Sequence, residues 1–450
     1  MRDTGEMPFR SGSITYRRFS VVGAAPDMLD PKLFASLREH ALGELEPIKP
    51  GEIHVGWTAG RHLFDRSFDY ERIGFGSGLL LGFRADAVRV PPEIKNAYIA
   101  MAEDARMETA GPKSGFVSGA QRAGAKAAAK ADAKAAANTA SINDGGGAFL
   151  ARSAKKDARD DAMRRIEEEI AEGRYRRPKH TPVWWDFSKS TLYAAISSDA
   201  EVAALRHLMG DSLGINIEPR SAGRVALDLL AARGRTNDYD DLRAQPLSSA
   251  PPEIELVQED GQRKSADRPD FPWTGNEPQD FLGNLFLFWL WWHCETREGL
   301  VETADGEIAI VIDKTLDLEC AWGLSGRTSL RGDAPTRRAE TARAVQLGKW
   351  PRKLGLTVSA HDRVWECTLQ GDRMEVSGLK LPKPEDKPQS LRVAVEERLD
   401  SFATFDAALM SMYSAFIDLR CSRAWDSCRA DMRNWVSELG STRKMIAVGV

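Results

Sequence analysis

The run Phe281 to Trp292, FLGNLFLFWLWW, constrains this chain more than any other stretch, because it sets apolar side chains all round a helix. A helix with no polar face has to be buried. The run contains Gly283 and Asn284 and is too short to cross a bilayer, which takes about 20 apolar residues. It is therefore expected as a core helix, not a membrane span and not an open platform for stacking bases. At 450 residues the chain is long enough for two or three domains. The opening stretch, MRDTGEMPFRSGSITYRRF, lacks the apolar centre of a signal peptide. Cys294, Cys320, Cys367, Cys421 and Cys428 form no C-x-x-C pair and are odd in number. That favours a reducing compartment, so the expectation is a cytoplasmic protein without a membrane association.

The most ordered pattern runs from Arg152 to Pro219 and reads as an α-β-β-α-β unit. Met163, Ile166 and Ile170 make a narrow apolar stripe on a charged helix, and Gly173 stands where the helix should end. The basic cluster RYRRPKH follows, then strands at Val183–Phe187 and Leu192–Ile196 joined by a polar turn. Asp199 is placed to cap a helix burying Val202, Leu205 and Leu208, and Gly214 releases the last strand. Upstream, a strand is expected at 11–23, a helix from Asp30 to Leu42, a strand at Gly78–Arg84, and a helix after Pro91 and Pro92 running to Met107. The glycine-rich loop 74–78 precedes a strand rather than a helix and so reads as a turn, not a phosphate cradle.

Two stretches interrupt this order. Residues 112–150 are rich in Ala, Gly and Lys, with Lys126, Lys130 and Lys134 four apart, and read as a partly helical, mobile insertion; it either trails along phosphates or is a solvated linker. Residues 234–279 are rich in Pro, Asp, Gln and Ser and read as a linker. The segments are therefore 1–111, 112–150, 151–233, 234–279, 280–384 and 385–450. After the linker, strands are expected at Glu307–Ile312 and Leu316–Cys320. A terminal helical stripe is expected from Phe402, Phe405, Leu409, Met412, Phe416 and Leu419.

Charge is unevenly spread. The chain carries a net −4, yet Ala110–His180 has fifteen Lys and Arg against nine Asp and Glu, and Arg327–Lys353 has eight against two. Basic islands in an acidic protein point to a polyanion. Within the charged helix, Asp160–Arg164, Asp161–Arg165, Arg164–Glu168 and Arg165–Glu169 are spaced to pair. That leaves Lys155, Lys156 and Arg159, then Arg174, Arg176, Arg177 and Lys179, and in the second island Lys349, Arg352 and Lys353, as candidate phosphate contacts. Tyr175 and Trp184 are candidates to stack on bases, although one of Trp184 and Trp185 should be buried. No Walker loop, H-E-x-x-H, G-x-S-x-G or zinc-spaced Cys/His set is present. Adjacent His293 and Cys294 read as core. Asp186 with Lys189 and Glu218 loosely resembles a metal-dependent nuclease, but the spacing is incomplete. No catalytic residue, cofactor or metal is assigned.

Several of these features together resemble the recombination-associated protein RdgC family. They are Gly56-Trp57, Val90-Pro91-Pro92 before a long helix, Trp185-Asp186, Glu201, Leu205, Leu208, Leu213-Gly214 and Pro219. Further on come Glu340, Gly348-Lys349, Leu354/Leu356/Val358, Val364/Cys367/Leu369, Leu379-Lys380-Leu381 and the terminal helical stripe. The resemblance covers most of residues 10–420, apart from the two interruptions. It implies an α+β fold of mixed sheets with flanking helices in an elongated, multi-part subunit. It further implies a nucleoid-associated ring-shaped homodimer whose basic inner surface surrounds double-stranded DNA, without sequence specificity, and limits access of the RecA recombinase. The alternatives from the residues alone are a nuclease-like enzyme around Asp186 and a protein-interaction scaffold using the acidic surface.

Overall fold

A computed structural model describes residues 9–43, 48–49, 51–109, 152–196, 198–252, 254, 267–275, 277–383 and 388–439. The Ala/Lys segment 112–150 lies outside the described residues, as does part of 234–279. Eleven α-helices and thirteen strands among the described residues make an α+β fold. The chain divides into two compact units, each discontinuous in sequence, whereas the segments drawn from composition are contiguous. Unit 1 holds 1–42, 56–84 and 180–450; unit 2 holds 43–55 and 85–179.

Unit 1 is built on one sheet instead of several mixed ones. From one edge it runs β10 (Thr328–Arg331), β9 (Gly306–Cys320), β11 (Lys349–Ala360), β12 (Arg363–Gln370) and β13 (Glu375–Lys380). It continues through β1 (Ile14–Val22), β6 (Thr191–Ala194), β5 (Arg176–Asp186), β4 (Gly78–Val88) and β2 (Ile53–Thr58). Three short strands add to it: β3 (Gly74–Phe75) on β4, β7 (Asn216–Pro219) on β1, and β8 (Leu300–Thr303) on β9. The unit boundary falls within β2, β4 and β5.

The N-terminal strand β1 is a splice. Its first half pairs with β13 at Ile14↔Leu379 and Tyr16↔Val376, and its second half pairs with β6 from Arg17↔Ala194 to Ser20↔Thr191. The join is held from within. Asp406, on α10 (Leu391–Arg420), accepts hydrogen bonds from Tyr16 (3.0 Å), Tyr193 (2.8 Å) and Arg18 (2.7 Å). Burial pushes the Asp406 carboxyl up, but Arg18 and the phenol donors outweigh it and hold the group below the usual carboxylate range.

The core helix α8 (Phe281–Thr296) is buried from Phe281 to His293, packed against β9, β11 and α10. Within Phe281–Trp292, the two residues that are not large and apolar each have a task. A Cβ on Gly283 would lie 2.1 Å from the carbonyl oxygen of Gly371, so only glycine lets the helix approach the β12–β13 turn. Asn284 donates to the Pro351 carbonyl at 3.0 Å and accepts from Trp273 Nε1 at 3.2 Å. That last contact corrects the linker reading of 234–279. Residues 236–241 form helix α7 (Thr236–Asp241), and Tyr239, Leu242, Leu247, Ile254 and Phe271 belong to the same core as α8. The two strands expected at 307–320 are one, β9, with Lys314 in a left-handed conformation (φ 63°). The register with β11 shifts there, so the apolar alternation breaks without the strand ending.

Unit 2 pairs α3 (Pro92–Thr109) with α4 (Arg152–Ala171). The pairing is antiparallel, since Tyr98 donates to Glu169 at 2.5 Å while Arg106 reaches Asp161 at 2.5 Å and Asp157 at 3.4 Å. The buried stripe of α4 is Ala158, Ala162, Ile166 and Ile170, four apart throughout. Met163 is exposed, so the stripe read from the sequence had its first member wrong.

After Gly173 (φ 86°) and Tyr175 (φ 63°) the chain enters β5 at Arg176, earlier than the expected Val183. The second helix of the β-β-α-β run, α5 (Asp199–Leu213), is capped by Ser198 rather than Asp199. Gly214 ends it at φ 67° as expected.

Candidate nucleic-acid interface

The stripe of α4 fixes which of its side chains face water. With Ala158, Ala162, Ile166 and Ile170 inward, Lys155, Lys156 and Arg159 are exposed. None has an ion-pair partner among the described residues, and two of the helix's carboxylates are held by arginines. Asp157 and Asp161 both bind Arg106 of α3, and Asp161 also binds Arg164. None of the four i,i+4 pairs expected on this helix forms among the described residues; Arg165 lies over the Tyr98 ring at 4.6 Å instead. The polarity of α4 is also inverted. Its first turn holds no acid and its last turn no base, while Glu167, Glu168 and Glu169 sit near its C-terminal end. The helix dipole disfavours cations at an N-terminus. A chain that keeps them there departs from the local rule, as functional sites tend to.

At the other end of α4 the cluster RYRRPKH is sorted by strand alternation. Arg174 is exposed but engaged by Glu169 at 3.0 Å and Glu172 at 3.3 Å. Arg176 is turned inward, its side chain 6% exposed, against Asp86 at 2.5 Å. Both corrections have one cause: the acidic partners precede the cluster in sequence or come from another strand, where a forward scan for acids does not look. Arg177 points outward with no ion-pair partner among the described residues, and Lys179 is exposed. Tyr175 donates its hydroxyl to Glu169. Trp184 and Trp185 are both buried, the first stacked on Tyr193 and the second on Phe187.

The second island, in unit 1, is neutralised in part: Arg337 and Arg343 are exposed with no ion-pair partner among the described residues, while three other arginines are paired. Arg327 and Arg331 both bind the fully buried Asp317 of β9. Arg352 binds Glu319 at 2.6 Å, lies 3.8 Å from Asp372 and sits over Trp273 at 5.7 Å. Lys349 donates to Thr328 Oγ1 at 2.8 Å. Lys353 has no ion pair among the described residues, but it is half-buried, and burial, against the pull of Glu375, lowers its ammonium from the ordinary lysine value. As a phosphate contact, Arg352 is therefore corrected to a structural donor.

The carboxylate of Asp186, 2% exposed, accepts from Ser77 Oγ (2.9 Å), Ser188 N (3.0 Å) and Ser188 Oγ (2.6 Å). Glu218 faces Arg224 at 3.5 Å. No group of three or more His, Cys, Asp or Glu among the described residues could hold a metal ion. His293 Nδ1 donates to the Leu300 carbonyl (2.9 Å), and Cys294 contacts the Ile310 carbonyl, both on the core helix.

One exposed site escaped the sequence reading. Between β2 and the short helix α2 (Tyr70–Ile73), the loop Gly60–Asp69 shows Arg61, His62, Phe64 and Arg66 to solvent. Its signal in the sequence is RHLFDR, two arginines around an aromatic residue. No family model matches the chain, and no curated protein matches it at a significant level.

Proposed function

We propose that this chain is a DNA-binding protein of RdgC-like type that holds double-stranded DNA without reading its sequence. The observation that carries the proposal is the set Lys155, Lys156, Arg159 and Arg177: four exposed cations of unit 2 with no ion-pair partner among the described residues. Three of them stand in the first turns of α4, beside backbone amides that also favour an anion. Contacts of this kind fix a protein on phosphates and carry no sequence information. By the resemblance, the protein acts as a homodimer around the duplex and competes with RecA for it in the nucleoid.

The test is a titration of fluorescent duplex DNA at two salt concentrations. The variant with Lys155, Lys156, Arg159 and Arg177 replaced by alanine should lose affinity for all duplex sequences alike. Its log–log salt slope should flatten by about 0.9 for each contact removed. Loss confined to particular sequences would mean base readout, and absence of binding by the parent would favour the scaffold reading. Cleavage of the duplex with Mg²⁺ would favour an enzyme. Sedimentation of the parent with and without DNA tests the dimer separately.

A further inference from the structure

We propose that the loop Gly60–Asp69 of unit 1 takes a nucleotide of an unpaired DNA strand, its base on the ring of Phe64 and its phosphates on the loop's cations. The loop is built around one inward carboxylate. Asp65, 2% exposed, receives Arg61 through Nε at 2.7 Å and Nη2 at 3.1 Å, and Ser67 N at 3.2 Å. The Asp65 backbone closes the turn, donating to the His62 carbonyl at 3.0 Å and accepting from Ala59 N at 2.7 Å. Gly60, at φ 80°, supplies the left-handed bend that lets the loop leave β2. These bonds order a loop whose most prominent side chain is an apolar ring left 50% exposed.

That ring is positioned as well as exposed. The guanidinium of Arg84, a fully buried side chain, lies 5.3 Å from the centroid of the Phe64 ring, and Arg84 Nη1 donates to the Leu63 carbonyl at 3.3 Å. A ring backed by a cation and held on a rigid turn is preorganised for a second flat partner. The charge around it selects an anionic one. Arg66 is exposed two residues after Phe64, and Asp69, the exposed acid at the loop's end, is engaged by Arg38 and Arg72. Behind the loop, Arg10 has no ion pair among the described residues, and its Nε and Nη2 are buried without a hydrogen bond. An aromatic face flanked by cations is the arrangement that binds unpaired strands, because every base has a ring to stack. In a duplex the ring faces are already occupied, so the loop adds a contact that the α4 cations do not supply.

The inference rests on the nucleic-acid reading above, and its test separates the two. The full chain is titrated with a single-stranded oligonucleotide carrying 2-aminopurine and, in parallel, with duplex DNA. Binding of the single strand should change the 2-aminopurine emission. Phe64→Ala should abolish that change and weaken single-strand affinity about tenfold or more, while Phe64→Trp keeps both. Arg66→Ala should weaken single-strand binding and flatten its salt dependence, and duplex affinity of the Phe64 variants should stay within about twofold of the parent. Single-strand affinity and emission unaltered in Phe64→Ala would overturn this inference while leaving the duplex reading intact. Loss of duplex binding in the parent, with single-strand binding still dependent on Phe64, would do the reverse. A Phe64→Trp variant that fails like Phe64→Ala, with near-ultraviolet circular dichroism unchanged, would also overturn stacking.

Discussion

The two basic islands have the same local charge in the sequence and meet different neighbours in the fold. In unit 1 the neighbouring strand brings acids: β9 sets Asp317 and Glu319 beside β10 and β11, and the turn after β12 adds Asp372. In unit 2 the neighbouring helix brings a base: Arg106 of α3 takes Asp157 and Asp161 of α4, and Lys155, Lys156 and Arg159 keep no ion-pair partner among the described residues. A net charge counted along the chain is therefore poor evidence of an electrostatic footprint. What decides is which partner each element meets, and pairing across a sheet or a helix face joins residues far apart in sequence.

Arg176 and Arg177 put that contrast into adjacent residues, and the largest effect is expected there. Arg176→Ala removes the guanidinium from Asp86, a fully buried carboxylate, and should cost about 3 kcal/mol or more of stability. Arg177→Ala removes an exposed cation and should change stability by less than about 0.5 kcal/mol while lowering duplex affinity. Urea denaturation and a DNA titration on both variants measure the two effects. Equal destabilisation by the two would mean that β5 does not sort its arginines by alternation.

Acid should weaken unit 1 through two histidines. His180 accepts from or donates to Thr58 Oγ1 at 2.6 Å, and burial, with Arg84 and His62 adding to it, lowers its pKa from 6.5 to about 4. Burial lowers His293 to about 4 as well. A histidine whose folded pKa lies below its unfolded value contributes stability that is fully present above about pH 6.5. That stability is lost as the pH falls toward 4. Allowing for partial exposure, about 2 kcal/mol per group is expected between pH 7 and 4. Urea midpoints across this range should fall, and the fall should shrink in His180→Gln. A variant that keeps the full acid dependence would remove His180 from the account.

The sequence revealed the parts of this fold that depend on short-range pattern. The all-apolar run at Phe281–Trp292 leaves α8 no choice but burial, and Gly173 and Gly214 mark helix ends by backbone chemistry alone. The parts it hid depend on partners. Ala158 and Ala162 escaped the stripe of α4 because alanine is neutral in a hydropathy pattern, although it is what allows α3 to lie close. The stretch 234–279 looked like a linker because its polar composition masks a few anchors, Tyr239, Leu247 and Phe271, each buried singly. Arg174, Arg176 and Arg177 were indistinguishable until the start of β5 was placed.

The smallest expected effect belongs to Lys353, which stands between the two islands in character. It lacks an ion pair among the described residues, like the α4 cations, but it is half-buried in the outer part of the sheet, like Arg352. Burial lowers its pKa, as do Arg327 and Arg352, while Glu375 and Asp372 act the other way. Its charged form is thus favoured less than that of an exposed lysine. Lys353→Met keeps the aliphatic stem and removes a poorly solvated charge, so stability should stay within about 0.5 kcal/mol of the parent or rise slightly. If burial keeps Lys353 from phosphates, duplex affinity and its salt slope should also be unchanged. Arg177→Ala measured alongside should flatten the slope by about 0.9. A drop in slope of that size from Lys353→Met would restore the second island as a phosphate contact and erase the distinction between the two.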